Sequence, residues 1–470
     1  MSDRRPNILL ITTDQQRFDA LGLNGNAILR TPNLDALAAG GTNFTRCYVT
    51  CPVCIPARRT LLSGLHPRTH GLLGYREGLD FDPPCTLPGV LREAGYQTQL
   101  VGKLHLQPQR KRFGFDHMIL SESANDRPRA EHQRENDYTT WLAAQGVKSH
   151  GNAHGVGSNS RVARPFHLDE PLHHTSWCAQ QAARFIDGWR DPTVPWFMHL
   201  SFVAPHPPLT PPRDYWRRYV NEPNMQPRIG DWAPTGPPRA GLSPDSAVGP
   251  FDPRDMHDAM AGYYGLINHI DDQIAYLLER TFGLSGPARG EPTWIIFSSD
   301  HGEMLGDHHL YRKSLAYEGS AHVPLFITGR NVESRKQSVD ALVTWEDIMP
   351  TILDLAGVTI PDGLDGRSLL AVMRGQATSV RETIFGVCRG FDHDYLIRGR
   401  HKYIRYHKTG EEQLFDLESD PHEMHDVSGN AADLTPLRRE LSAYLKQHGE
   451  QVDESRLHAC ANQPPQVFWG

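Results

Sequence analysis

Between Cys47 and Gly64 the chain reads Cys47-Tyr48-Val49-Thr50-Cys51-Pro52-Val53-Cys54-Ile55-Pro56-Ala57-Arg58-Arg59-Thr60-Leu61-Leu62-Ser63-Gly64, and two chemistries fit that stretch. Read from Cys47, the spacing is Cys-x3-Cys-x2-Cys, in which three thiolates could hold an iron–sulfur cluster. Read from Cys54, it is Cys-x-Pro-x-Arg: a single thiol close to a cation, with Pro56 at a helix start and Gly64 at its end. A helix N-terminus at Cys54 would favour an anion there. Taken alone, the stretch leaves both readings open.

Four further segments carry ionisable groups just past an apolar run. The run over residues 7–12 ends on Thr13-Asp14-Gln15, and the run over 293–297 on Ser298-Ser299-Asp300-His301-Gly302. The segment ending at Val101 delivers Gly102-Lys103-Leu104-His105, and the run over 196–203 delivers Ala204-Pro205-His206. In open α/β sheets functional groups collect beyond the carboxyl ends of strands, so these are candidate site residues. Asp14, Gln15, Asp300 and His301 offer two carboxylates, an amide oxygen and an imidazole, a set suited to one divalent cation. The oxygens favour calcium or magnesium, and the imidazole moves the set toward manganese. Any one of these residues could instead be a helix cap or a hydrogen-bonded loop residue; their coincidence at four strand ends argues for a site.

The elements that must position them alternate. Thr31-Pro32 to Gly40-Gly41 has the punctuation of a helix, as does 87–94, which Gly95 and a strand over 97–101 follow. Apolar runs at 196–203, 293–297 and 323–327 read as strands, while 256–282 and 344–356 carry helical periodicity. This is a βα alternation, so the expected fold is α/β: a large, mostly parallel sheet sandwiched by helices. Residues 121–174 and the proline-dense 207–253 break the pattern and are expected to be long loops shaping a pocket. Beyond residue 376 the texture changes to alternating strands over 395–400 and 402–406, a turn at Thr409-Gly410, a strand ending Leu414-Phe415-Asp416, and a helix over 436–447. Two units follow: a catalytic domain over 1–375, and a smaller C-terminal antiparallel sheet plus helix and tail over 376–470.

In order along the chain, Asp14-Gln15, Cys54-Ile55-Pro56-Ala57-Arg58 with Leu61-Leu62-Ser63-Gly64, Gly102-Lys103-Leu104-His105, Pro205-His206-Pro207-Pro208-Leu209, Asp300-His301-Gly302, and Lys313 ahead of Tyr317-Glu318 resemble the motifs of the type I sulfatases. Leu414-Phe415-Asp416-Leu417 with Asp420-Pro421 does so too. The likeness covers about residues 6 to 430 and implies an alkaline-phosphatase-like fold. It further implies that a formylglycine-generating enzyme converts Cys54 to formylglycine, and that the product hydrolyses a small-molecule sulfate monoester with one divalent cation, calcium before manganese. The resemblance gives Asp14, Gln15, Asp300, His301 and residue 54 to the metal. It gives Arg58 to the formylglycine, Lys103 and Lys313 to the sulfate oxygens, His105 to the base of the second step, and His206, with Lys313, to the leaving oxygen. Under this reading Cys47 and Cys51 are packing residues, since an iron–sulfur enzyme leaves Asp14, Lys103, His206, Asp300 and Lys313 without a use.

Three departures matter. Ala57 stands where serine is usual, Gln15 where many sulfatases have aspartate, and His301 where many have asparagine. The last two resemble the choline sulfatase and phosphonate monoester hydrolase branches, which keeps phosphonate monoesters and phosphodiesters as the alternative substrates. Lys103 and His105 stand in sulfatase form, which favours sulfate. Among the other histidines, His70 is expected to fix a loop, and His173-His174 to be a solvated helix start. For His308, His309 and His322 a structural role competes with one in the pocket.

Composition narrows the rest. The net charge of −7 and the scatter of Lys and Arg provide no basic footprint for nucleic acid or an anionic membrane. No run reaches the roughly 18 apolar residues that a spanning helix needs, and Met1-Ser2-Asp3-Arg4-Arg5-Pro6 has no signal-peptide core, so a cytoplasmic location is expected. Seven cysteines in 470 residues, three of them within eight positions, argue against a disulfide scaffold. The small C-terminal sheet and tail offer a surface for a homo-oligomer.

Overall fold

Strands β1 (Asn7–Asp14), β3 (Gln97–Gly102), β5 (Trp196–Pro205) and β6 (Thr293–Ser299) are runs of apolar and β-branched residues buried on both faces, the composition that a parallel sheet covered by helices requires. The computed structural model describes residues 5–122, 136–147, 154–233 and 241–468. With β2 (Thr42–Tyr48), β4 (His117–Leu120), β7 (His322–Arg330) and β8 (Gln337–Val339) these form a sheet in the order β4-β3-β5-β1-β6-β7-β2-β8, and β9 (Val343–Thr344) pairs with β2. From β4 to β6 all pairings are parallel. The strand at 322–330 is antiparallel to both β6 and β2.

The period of two along β1 sorts the core. Leu9 and Ile11 face one side, where they pack with the helices His174–Arg184 and Pro253–Phe282; Ile8 and Leu10 face the other, with Cys54–Ser63, Leu87–Glu93 and Ile348–Leu355. The fold is therefore the expected helix-sandwiched sheet.

A second sheet runs β10 (Thr383–Cys388), β11 (His393–Arg398), β12 (His401–Tyr406), β13 (Glu411–Asp416) and β14 (His458–Ala459), antiparallel except for its last pair. Tyr395, Ile404 and Phe415 pack toward the first sheet, against Tyr48, Trp232 and Tyr317. Leu396, Tyr403 and Leu414 take Leu434, Leu437, Leu441 and Leu445 of the terminal helix. That helix begins at Ala431, ahead of Pro436, because the Asn430 side chain accepts the Ala432 N–H at 3.2 Å and caps it.

Two expectations change. The segments read as long loops each hold a helix, Asp137–Ala144 in the first and Arg213–Tyr219 in the second; residues 123–135, 148–153 and 234–240 of those segments lie outside the described residues. His173 does start a helix, its Nδ1 accepting the Thr175 N–H at 3.2 Å, but it is buried rather than solvated. It packs edge-on to Phe166 at 4.7 Å and His269 at 4.9 Å, and burial pushes its pKa far down, so a neutral imidazole serves as an aromatic core residue. Among the described residues, no helix is long and apolar enough to cross a membrane.

Candidate active site

Because β3, β5, β1 and β6 are parallel neighbours, their carboxyl ends form one row, and Lys103, His206, Asp14 and Asp300 lie along it. The turn after β3 depends on Gly102: at φ +108°, a Cβ there would lie 1.9 Å from the Ser201 carbonyl oxygen. Only glycine allows that approach, which lets the Lys103 N–H donate to the same oxygen at 2.8 Å. The Cys54–Ser63 helix opens against the row with Cys54 as its first residue, and Gly64 closes it in the left-handed conformation.

Asp14, Cys54, Asp300 and His301 bring four ligand atoms within 4.8 Å of one another, all buried. Asp14 Oδ1 lies 3.8 Å from Cys54 Sγ and 3.6 Å from His301 Nε2, which is 3.1 Å from the sulfur and 3.5 Å from Asp300 Oδ1. The second oxygens point away. Asp14 Oδ2 accepts Arg58 Nη2 at 3.2 Å and also Lys103 Nζ, while Asp300 Oδ2 accepts Arg58 Nε at 2.9 Å. Arg58 is itself held by the Lys103 carbonyl at 2.8 Å and Ser201 Oγ at 3.0 Å. The cations thus occupy the outer oxygens and leave Oδ1 of each carboxylate turned inward.

The donor chemistry fits a divalent cation. His301 Nδ1 lies 3.0 Å from the Gly302 carbonyl, an acceptor for its N–H, so that Nε2 is the ring nitrogen facing the two Oδ1 atoms; burial opposes its charge, but Asp300 and Cys54 raise its pKa, and a bound cation would take the place of that proton. The Gln15 N–H donates to Asp300 Oδ1 at 3.1 Å, and Gln15 Oε1 accepts Lys313 Nζ at 2.6 Å. Gln15 takes an uncommon φ of +74°, held by the Tyr263 hydroxyl, which donates to its carbonyl at 2.7 Å.

Electrostatics sort these groups. Burial and the adjacent Cys54 push the Asp14 carboxyl up, but Lys103, His206 and Arg58 outweigh them and hold it below the usual range. Burial and then Asp14 push Asp300 up, so the two acids are driven apart. Burial would raise the Cys54 thiol, but Lys313, Lys103 and His301, with a hydrogen bond from His105, bring it well below an ordinary cysteine. His206 Nδ1 lies 2.6 Å from the Pro207 carbonyl, and burial, reinforced by Lys313, lowers it to about 4, so it is neutral at pH 7.

The cysteine ambiguity resolves by direction. Cys47 faces the core under β2, and Cys51 packs with Val53 and Cys388 of the second sheet. Only Cys54 points at the carboxylates. His70 fixes its loop, within 3.2 Å of Thr60 Oγ1. His322 is structural, stacked between Phe18 and Tyr48 and bonded to Glu318 at 2.6 Å. His308 is buried, and its Nδ1 accepts the Gly230 N–H at 3.1 Å; His309 is half-buried.

Two residues that hold the site escape the sequence reading. Glu122 accepts the backbone N–H groups of Leu104 and His105 at 3.1–3.2 Å and so fixes the φ of +55° at His105. Glu303 accepts from Gln15 Nε2. The signals were present: Glu122 follows the short apolar run of β4, and Glu303 closes the run Asp300-His301-Gly302-Glu303.

The family model described as Sulfatase matches residues 6–358, and one described as N-sulphoglucosamine sulphohydrolase, C-terminal, matches 306–451. The chain is 38% identical to an arylsulfatase of Clostridium perfringens over 437 residues, 89% of each chain. It is 27% identical to a choline-sulfatase of Rhizobium meliloti, over 92% of this chain and 84% of the other. The crystal structure of the phosphonate monoester hydrolase of Agrobacterium radiobacter superposes with a TM-score of 0.77 at 26% identity, over 94% of this chain and 96% of that one.

Proposed function

The chain belongs to the sulfatase family and hydrolyses sulfate esters, and from that premise we propose that it acts on sulfate monoesters through a formylglycine made from Cys54 and one divalent cation. The observation that carries this reading is the convergence of Asp14 Oδ1, Asp300 Oδ1, His301 Nε2 and the residue 54 side chain, with Arg58 and Lys103 on the outer carboxylate oxygens. Those residues, joined by Gln15 Oε1, would hold the cation, which supplies positive charge to the nucleophile and to a sulfate oxygen. Their oxygen-rich set favours calcium, and the His301 imidazole makes manganese the alternative. Formylglycine would supply an oxygen nucleophile that releases sulfate by returning to the aldehyde. A formylglycine-generating enzyme is thus a partner in maturation.

The remaining groups are this chain's own. Arg58, fixed by four hydrogen bonds, keeps its charge against residue 54 and both acids. Lys103 and Lys313 neutralise sulfate oxygens as charge shifts in the transition state. We assign the proton for the leaving oxygen to the Lys313 ammonium: His206, neutral with its N–H on Pro207, accepts rather than donates at Nε2. His105, on the turn after β3 and among the groups that lower the Cys54 thiol, is the base for the second step.

Gln15, His301 and the likeness to the phosphonate monoester hydrolase support a second reading, with phosphonate monoesters or phosphodiesters as substrates. Measuring kcat/KM on matched aryl sulfate, phosphonate and phosphodiester esters, after reconstitution with calcium or with manganese, separates the two. The sulfate should lead by at least about tenfold, the factor carried by 1.4 kcal/mol of transition-state binding; a leading phosphonate or diester would replace the first reading by the second.

A further inference from the structure

We infer that Glu303 is a positioning residue for this site: its carboxylate decides which end of the Gln15 amide faces the reaction centre, and it holds the turn that carries Lys313. The inference rests on the reading of Gln15 as an oxygen donor to the cation.

Glu303 is 1% exposed and three residues beyond Asp300. Its Oε2 accepts from Gln15 Nε2, and its Oε1 accepts the backbone N–H groups of Leu305, at 2.9 Å, and Arg312. Among the described residues its side chain makes no ion pair; Arg312 reaches it only through its backbone N–H, and Arg17 donates to its backbone carbonyl at 3.2 Å and spends its charge on Asp19 and Asp307. A buried carboxylate satisfied only by neutral N–H donors is costly to keep, so what it orients matters.

The two ends of a glutamine amide are alike in shape and opposite in chemistry: the oxygen can bind a hard cation or accept from an ammonium, and the nitrogen can do neither. Only hydrogen bonds choose between the ends. A carboxylate accepts only, so Glu303 takes the nitrogen, and the oxygen is left facing Lys313 Nζ at 2.6 Å. The same group acts on Lys313 itself. Lys313 lies between two left-handed residues, Arg312 at φ +74° and Ser314 at +72°, and Leu305 at +51° starts the same excursion. Non-glycine residues hold such angles only where neighbours over-determine them. Here Glu303 Oε1 binds Leu305 and Arg312, Met304 N–H donates to the Arg312 carbonyl at 2.8 Å, and Ser314 N–H donates to the Pro52 carbonyl at 2.9 Å. One carboxylate therefore sets both an amide orientation and a lysine position.

The test is an exchange of side chains. In Glu303→Gln the new amide offers one acceptor where two are needed: either its NH2 meets the Gln15 NH2, or it meets the Leu305 and Arg312 N–H groups. In the double variant Gln15→Glu/Glu303→Gln the network closes again: the amide NH2 introduced at position 303 donates to the carboxylate introduced at position 15, and the amide oxygen takes the two backbone N–H groups. Manganese chloride and calcium chloride are titrated calorimetrically into full-length wild type, the single variant, the double variant and an Asp300→Asn control, with p-nitrophenyl sulfate turnover and thermal midpoints alongside. The single variant should bind the cation about 10- to 100-fold more weakly and lose kcat/KM to a similar extent, and the double variant should recover most of both. Wild-type affinity and turnover in Glu303→Gln would overturn the inference, as would a double variant no better than the single one. If Glu303→Gln does not fold, the double variant decides alone: folding and binding support the inference, and failure to bind overturns it. An Asp300→Asn protein that binds like wild type would bring down the underlying metal reading, and this inference with it.

Discussion

Among the described residues, two groups of side chains bring carboxylates and an imidazole together: Asp14, Asp300 and His301 with Cys54, all buried, at the strand ends, and buried Asp394 with half-buried Glu450 and His407 beside the second sheet. At the strand ends the cations bind the outer oxygens, and the inner ones converge with an imidazole nitrogen. In the second group every carboxylate oxygen accepts from an arginine. Asp394 Oδ1 accepts from Arg68, Asp394 Oδ2 from Arg389 and His407, and Glu450 from both arginines. That network ties the Pro67–His70 turn to β11 and sets an arginine on each carboxylate oxygen, where a second cation would be repelled. What separates the candidate metal centre from a structural salt bridge is thus which carboxylate oxygens the cations leave open, which residue types and spacing do not encode.

The difference can be broken at either end. His301→Ala should weaken manganese binding by about 100-fold or more and remove most sulfate hydrolysis, since an inner ligand is lost. His407→Ala should leave the isotherm at one ion per chain with wild-type affinity. Equal losses in the two variants, seen by calorimetric titration, would mean that both clusters bind.

Asp394→Asn acts on stability instead. It strips a buried counter-charge from Arg68 and Arg389 and should cost about 3 kcal/mol, read as a lower denaturant midpoint, while kcat of the folded protein stays within about twofold. An unchanged midpoint would show that the arginines need no partner.

The smallest effect is one of pH. Burial opposes the Asp394 charge, but His407, Arg389 and Arg68 win and hold the carboxyl at about 2 against the usual 3.8. The folded-state value is depressed, so this stabilisation is full above about pH 4 and fades as pH falls toward 2. Over that window wild type should lose roughly 2 kcal/mol more stability than Asp394→Asn. Parallel curves for the two proteins would remove Asp394 from the acid sensitivity.

The strand ends were legible because apolar runs stop abruptly at Asp14, Lys103, His206 and Asp300, and a parallel sheet turns that list into a row. The strand β2 was not legible. Its buried polar residues find partners far along the chain, Asn43 donating to Asn24 Oδ1 at 3.2 Å and Thr42 to the Arg335 carbonyl at 3.2 Å, so the segment has no apolar signature. Nor could the 322–330 run announce that it lies antiparallel, since burial on both faces looks the same in either direction. His173 misled for a related reason: two adjacent histidines look polar, yet an uncharged ring with one capped nitrogen packs among aromatics. Cys51 and Glu303 have meaning only through contacts with Cys388 and Gln15, and no local pattern marks such pairs.

The proposed reaction turns on the identity of residue 54. Enzyme produced with a formylglycine-generating enzyme should be digested, and the peptide spanning Cys54 weighed across preparations of differing specific activity on p-nitrophenyl sulfate. Activity should rise in proportion to the fraction of aldehyde at position 54, and Cys54→Ala should fall to background. Full activity in a preparation whose Cys54 is entirely thiol would rule out formylglycine as the nucleophile.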